Sequence, residues 1–193
     1  MKRDTIFFLL VICIALVAVS CSDRRPTAKD PDAIAKDQNQ ANQQHITGQQ
    51  KDYSSYLVDV VQDQLFEIEL GKLGKRKSNS DKIQDFAAEL EKHHQNRLKK
   101  LNSLANDFAY MMPHNLSDKQ WEEIKDLEKT NAKNFDEKWI DAVISNHNNA
   151  ADVLIKSINK VDNNKIRTQL NETLQEVRSH LEAATYIKNQ QLK

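Results

Sequence analysis

Breaker residues are scarce in this chain. It has three glycines and three prolines in 193 residues. An all-β domain of that size needs many tight turns, and the turns that close hairpins depend on glycine. Gly48, Gly71 and Gly74 also cannot make a G-x-G-x-x-G loop or a Walker A loop, so glycine-rich phosphate cradles are excluded. Cysteine is nearly absent as well: Cys13 lies inside an apolar run and Cys21 follows it. Neither a disulfide framework nor a free thiol nucleophile is expected in the mature domain. Nor is either charge in excess. Lysine plus arginine number 28 and aspartate plus glutamate 28, giving a net charge of zero. Without a basic field, nucleic acid is not an expected partner. What remains is a mostly helical, single-domain chain.

The first twenty residues look like a signal peptide. Lys2 and Arg3 form a positive start, and an apolar run of about fifteen residues follows, short of the ~20 a membrane span needs. It ends in Ala18-Val19-Ser20-Cys21, small residues before a cysteine. This resembles a bacterial lipobox, with Ala18 in place of the usual leucine. The expectation is lipidation at Cys21, a membrane partner through that lipid, and an exported envelope location. An ordinary secretory signal and an anchor helix are the alternatives. Residues 21–52 hold Pro26, Pro31 and Gly48 among Gln, Asn, Asp and Lys, with few apolar side chains. They read as a disordered tether in which a short helix near 31–36 would pack on nothing obvious.

From residue 53 to about 190 the apolar period is helical. The first helix, about 54–75, carries Leu57, Val60, Val61, Gln64, Ile68 and Gly71 on one stripe. Phe66, Leu70 and Leu73 lie elsewhere, so it is apolar on more than one face. The second, about 81–110, carries Ile83, Phe86, Ala87, Leu90, His94, Leu98, Leu101, Ala105 and Phe108. A short helix at about 118–130 begins at Ser117. Two long helices at about 135–160 and 165–189 follow, with stripes running through Trp139, Val143, His147 and Leu154, and through Ile166, Leu174, His180 and Ala184. Short loops join first to second and fourth to fifth. About 25 residues with a short helix separate the pairs. Two antiparallel hairpins joined by a crossover is the connectivity of an all-α, ferritin-like four-helix bundle.

Three of the six histidines, His94, His147 and His180, fall near the centres of the apolar stripes of three different helices. Glu67 sits at the edge of the first stripe. Counted from the two hairpin turns, Glu67 and His94 share a level, and so do His147 and His180, to within about 5 Å at 1.5 Å per residue. Imidazole and carboxylate in a dry core suit a divalent transition metal such as Zn²⁺, Fe²⁺ or Cu²⁺, with Glu67, His94, His147 and His180 as the ligands. Core histidines bonded to a neighbouring carboxylate or carbonyl are the alternative. Glu69 is the substitute should Glu67 face outward. Glu91 and Glu176, one turn before His94 and His180, read as solvated groups or supporting partners. His93 is expected to face solvent, and Arg97 with Lys99 and Lys100 to form a solvated basic run. No catalytic residue stands out.

Several segments resemble a bacterial family known as domain of unknown function 4142, whose members are often labelled outer-membrane proteins. The resembling pieces are Glu67-Ile-Glu-Leu-Gly71, Phe86-Ala87 followed by His94, Asn134-Phe135-Asp136 with His147, and His180-Leu181. The resemblance spans about 53–188. It implies a ferritin-like bundle and no particular reaction, and it points to Glu67, His94, His147 and His180 as polar core positions. The chain departs from di-iron bundles, which place Glu-x-x-His on two helices. Glu91-Lys-His-His94 fits that motif, whereas the last helix reads Val177-Arg-Ser-His180 and the fourth offers His147 in place of a carboxylate. The function expected is a lipid-anchored envelope bundle of unknown activity with a metal or small ligand in its core. A ferritin-like metal-dependent oxidoreductase and a purely structural bundle are the alternatives.

Overall fold

The structure, a computed structural model, describes residues 29–45 and 53–191. The expected signal peptide, Cys21 and the remainder of the tether lie outside these residues. Among the described residues there are six helices and no strand: α1 (Pro31–His45), α2 (Ser54–Lys77), α3 (Asp81–Asp107), α4 (Asp118–Lys129), α5 (Ala132–Lys160) and α6 (Asn164–Gln191). None of them is long and apolar enough to cross a membrane.

Local chemistry sets most of the boundaries. Ser117 and Gln120 form a capping box at the start of α4, each side chain bonded to the other's backbone N–H. Asn131 accepts from the backbone of Asn134 and starts α5 two residues after the end of α4. The loop expected at 131–134 is therefore reduced to two capping residues, Thr130 and Asn131. The end of α3 falls three residues earlier than the apolar period suggests. Ala109 N–H donates to Asn106 and Tyr110 N–H to Ala105, a Schellman pair with Ala109 at φ 55°. Glycine ordinarily takes that position, and its absence hid the stop.

The packing follows from α2, which touches α1, α3, α4 and α5. This is why its apolar residues occupy more than one face: Leu57, Val61, Phe66, Leu70 and Leu73 are all buried. The two hairpins α2–α3 and α5–α6 lie side by side. Trp139 sits against Gly74 and Asn146 bonds Glu67, so α5 runs antiparallel to α2. Arg97 bonds Glu176 and Asp107 bonds Lys165, so α6 runs antiparallel to α3. The chain between α3 and α5 returns along the bundle. Gln62 bonds Asn115 and Gln120 near one end of α2, and Arg76 bonds Glu128 near the other.

Helix α1 corrects the tether expectation over its length. Pro31 at its first position carries no N–H to satisfy, and Asp32 suits the first turn. Ala35 and Asn39 are buried, and Asn39 exchanges two hydrogen bonds with the backbone of Met111. Lys36 reaches Asp59 on α2. One small apolar residue and one amide suffice to dock a helix whose other faces stay polar, which is why its composition resembled a linker.

Both α2 glycines mark close approach. A Cβ on Gly71 would stand 2.8 Å from the carbonyl oxygen of Ala87 and 2.9 Å from the backbone nitrogen of Glu91. A Cβ on Gly74 would stand 2.7 Å from the Trp139 ring. That ring instead lies against bare helix and donates Nε1–H to the Leu70 carbonyl at 2.9 Å.

Two substitutions should therefore run against their nominal propensities. Gly71→Ala gains about 1 kcal/mol of helix propensity but overpacks rigid backbone, so a net loss of about 1–2 kcal/mol is expected. Ala109→Gly removes left-handed strain and should stabilise by up to about 1 kcal/mol. Urea unfolding of the two variants beside the parent checks both signs.

Candidate metal centre

Two apolar layers divide the bundle. One gathers Leu57, Val61, Leu101, Leu154, Ile166 and Leu170; the other gathers Phe66, Phe86, Leu90, Trp139 and Ile140. Between them lies a polar layer. Gln64 and Glu67 come from α2, His94 from α3, Asn146 and His147 from α5 and His180 from α6, and His94, His147 and His180 are 1%, 1% and 3% exposed. The three rings face one another, with centroids 5.0–5.5 Å apart. One ring nitrogen from each of the three lies within 4.8 Å of the others.

Hydrogen-bond partners fix which nitrogens are free. Nδ1 of His147 is 2.9 Å from the Val143 carbonyl and 3.0 Å from Glu67 Oε1. Both neighbours only accept, so Nδ1 carries a proton, and in the neutral ring Nε2 holds the lone pair. Nδ1 of His94 is 2.9 Å from Gln64 Oε1, and with the amide in that orientation it too donates. Its Nε2 is buried without any partner. His180 lies between two rings, with Nδ1 3.4 Å from His147 Nε2 and Nε2 3.0 Å from His93 Nδ1.

The arrangement suits a small cation. Nitrogens about 2.0–2.1 Å from a tetrahedral ion stand about 3.3–3.4 Å apart, which is the His147–His180 spacing. Each ring also has its other nitrogen on a polar partner: Glu67 for His147, Gln64 for His94 and His93 for His180. Partners of that kind orient metal-bound histidines. A lone pair buried without a partner costs a few kcal/mol in such surroundings, and a cation there would satisfy it. This buried histidine triad could hold a metal.

Electrostatics keeps two of the rings neutral. Burial lowers His180 to about 3, helped by the neighbouring His94, His147 and His93. Burial, then His147, His93 and Arg97, likewise holds His94 well below its ordinary value. For His147 burial also pulls downward, but the Glu67 carboxylate and the Val143 carbonyl outweigh it and the pKa rises. Asp63, one turn before Glu67, is pushed up to about 7 by burial and by the charges of Glu67 and Asp59.

The sequence-predicted residues separate into two groups. Glu67, His94, His147 and His180 come together, with Glu67 against the outer nitrogen of His147. Glu69, Glu91 and Glu176 are instead held by cations: Lys72 at 2.7 Å, Lys75 at 2.8 Å and Arg97 at 2.6 Å. One surface expectation is corrected, at Arg97, and His93 keeps an exposed side chain while also meeting the core. His93 stacks on His180 with centroids 5.3 Å apart and bonds it. Arg97 is buried, forked between Glu172 and Glu176. Both belong to α3 positions flanking the apolar stripe, where α6 closes over them. Gln64 appeared in the sequence only as a stripe position, and Asn146, which donates to Glu67 at 2.6 Å, gave no signal beyond its place beside His147.

The model for the domain of unknown function DUF4142 matches residues 35–187. The chain belongs to that family. The match begins within α1, so the family domain includes most of the helix that lies in the expected tether. No curated protein and no solved structure matches the chain.

In chelated protein, acid should weaken the fold through His180. Its folded pKa of about 3 lies below an unfolded value near 6.5, so between these values the unfolded chain binds a proton that the folded chain refuses. Stability from this group is full above about pH 6.5 and is lost as pH falls toward 3. Relative to His180→Phe, the parent should lose about 1–2 kcal/mol between pH 7 and pH 5, measured by urea unfolding.

Proposed function

We propose that this protein is a lipid-anchored component of the bacterial envelope whose ferritin-like bundle binds one divalent transition-metal ion, Zn²⁺, Fe²⁺ or Cu²⁺, in its core. His94, His147 and His180 hold the ion. Glu67 and Gln64 hold the first two of those rings. The observation that carries this reading is the convergence of three buried imidazoles from three helices around one unpartnered nitrogen, His94 Nε2. The ferritin-like assignment is supported by two hairpins with antiparallel neighbours and a return segment running beside α2.

A two-metal oxidoreductase is the less favoured reading. Bridging carboxylates are its chemical requirement, and Glu69 and Glu91 are engaged by Lys72 and Lys75 while Glu67 is turned to the outer nitrogen of His147. A bound single ion would supply Lewis acidity or a redox centre, while the chain's own contribution is to position imidazoles and keep the surroundings dry.

Elemental analysis of untagged protein after loading with each metal tests the core site. About one ion per chain is expected, with a rise in thermal stability at saturating metal of about 3 kcal/mol at 100 times Kd. His94→Ala should hold less than about 0.1 ion per chain under the same conditions. Equal metal content in parent and variant would remove the proposal. For the anchor, Cys21→Ser should move the protein from the membrane fraction to the soluble fraction, and unchanged fractionation would count against lipidation.

A further inference from the structure

His94 and His147 are each 1% exposed, so an ion cannot reach them from solvent without an intermediate position. A cleft of about 250 Å³ opens between α3 and α6, lined by His93, Asn96, Arg97, Lys100 and Glu176. Two of its lining residues, His93 and Glu176, form with the buried His180 behind them a second group of donors, one atom from each lying within 4.8 Å of the others. The His93 side chain is 38% exposed and the Glu176 side chain 22%, against 3% for His180 as a residue. The donors thus descend in exposure toward the core.

His180 belongs to both groups and shows a different nitrogen to each. Nε2 faces His93, and Nδ1 faces His147. Arg97 donates to Glu176 only at Oε2, leaving Oε1 its lone pairs. The same guanidinium is matched by Glu172, so two carboxylates offset its charge beside the cleft. Lys100, at the rim, remains as a cation that an incoming metal must pass.

We infer that His93, Glu176 and His180 form a second, solvent-facing metal position through which a divalent transition metal is loaded into the histidine core. The inference rests on the core site proposed above. In the outer position the ion binds His180 Nε2 while Nδ1 keeps the ring's single proton. In the core it binds Nδ1, and the proton resides on Nε2, where it donates to His93. The ring stays neutral in both states, and the proton exchanges between its nitrogens through His93 and the water of the cleft. One shared imidazole therefore hands the ion inward by exchanging ligands, with no redox change.

Stopped-flow binding of Co²⁺ to chelator-stripped full-length protein, followed by its visible absorption, tests this together with equilibrium Co²⁺ content. His93→Phe keeps a ring against His180 but removes a donor nitrogen, and Glu176→Gln removes the charge while keeping an acceptor for Arg97. In each, association and dissociation should both slow by about tenfold or more, with final occupancy still near one ion and an unchanged core spectrum. Glu172→Gln, which touches Arg97 but no donor of the outer group, should load at the parent rate. Parent-like loading in both His93→Phe and Glu176→Gln overturns the inference. So does a loss of affinity arising only from faster dissociation, which is the signature of a partner that merely orients His180. Failure of the parent itself to bind Co²⁺ would instead overturn the core site, a separate outcome.

Discussion

Everything in this bundle hangs on the burial of α2 on nearly every side. A helix with neighbours on four sides can present few polar groups to water, so each polar side chain on it must be answered by another helix. Gln64 is answered by His94, Glu67 by His147 and Asn146, and Gln62 by Gln120 and the Asn115 carbonyl. The same enclosure demands that neighbouring backbones come close, and Gly71 and Gly74 provide the room. Their contacts with α3 and Trp139 bring Glu67, one turn away, into register with the imidazoles.

The polar layer has an unusual balance. Apolar layers on either side lower the local polarity, which raises the cost of any unmatched donor or acceptor and strengthens each matched one. Glu67 raises the pKa of His147, while burial depresses His94 and His180. The result is a set of rings in which two resist protonation and keep lone pairs available. For His94 and His180 that is the protonation state a cation requires. It is also a liability for the metal-free fold, because His94 Nε2 and Glu67 Oε2 are left buried without partners.

Much of the fold was legible from period alone. The stripes of α3, α5 and α6 run through long stretches in which every third or fourth residue is apolar, and tertiary packing agrees with them. The stripe also foretold that His94, His147 and His180 face inward, because each has apolar side chains one turn away on either side: Leu90 and Leu98, Val143 and Ala150, Val177 and Ala184. Where the reading slipped, a single side chain decided the outcome. Ala35 and Asn39 dock α1 although its composition resembles a linker. Ala109 ends α3 in a conformation that alanine rarely adopts.

The sequence by itself determined that the domain is helical, where most helices begin and end, and which histidines point to the core. Those properties are local, set by period, caps and the scarcity of breakers. Only the tertiary structure decided how the hairpins are matched in height, that Glu67 faces the far nitrogen of His147, and that His93 and Glu176 join His180 at a cleft. These depend on the offset and rotation between helices distant in sequence. One residue of slip along a helix turns a side chain by about 100°, and no local pattern encodes which of several such alignments the packed core selects.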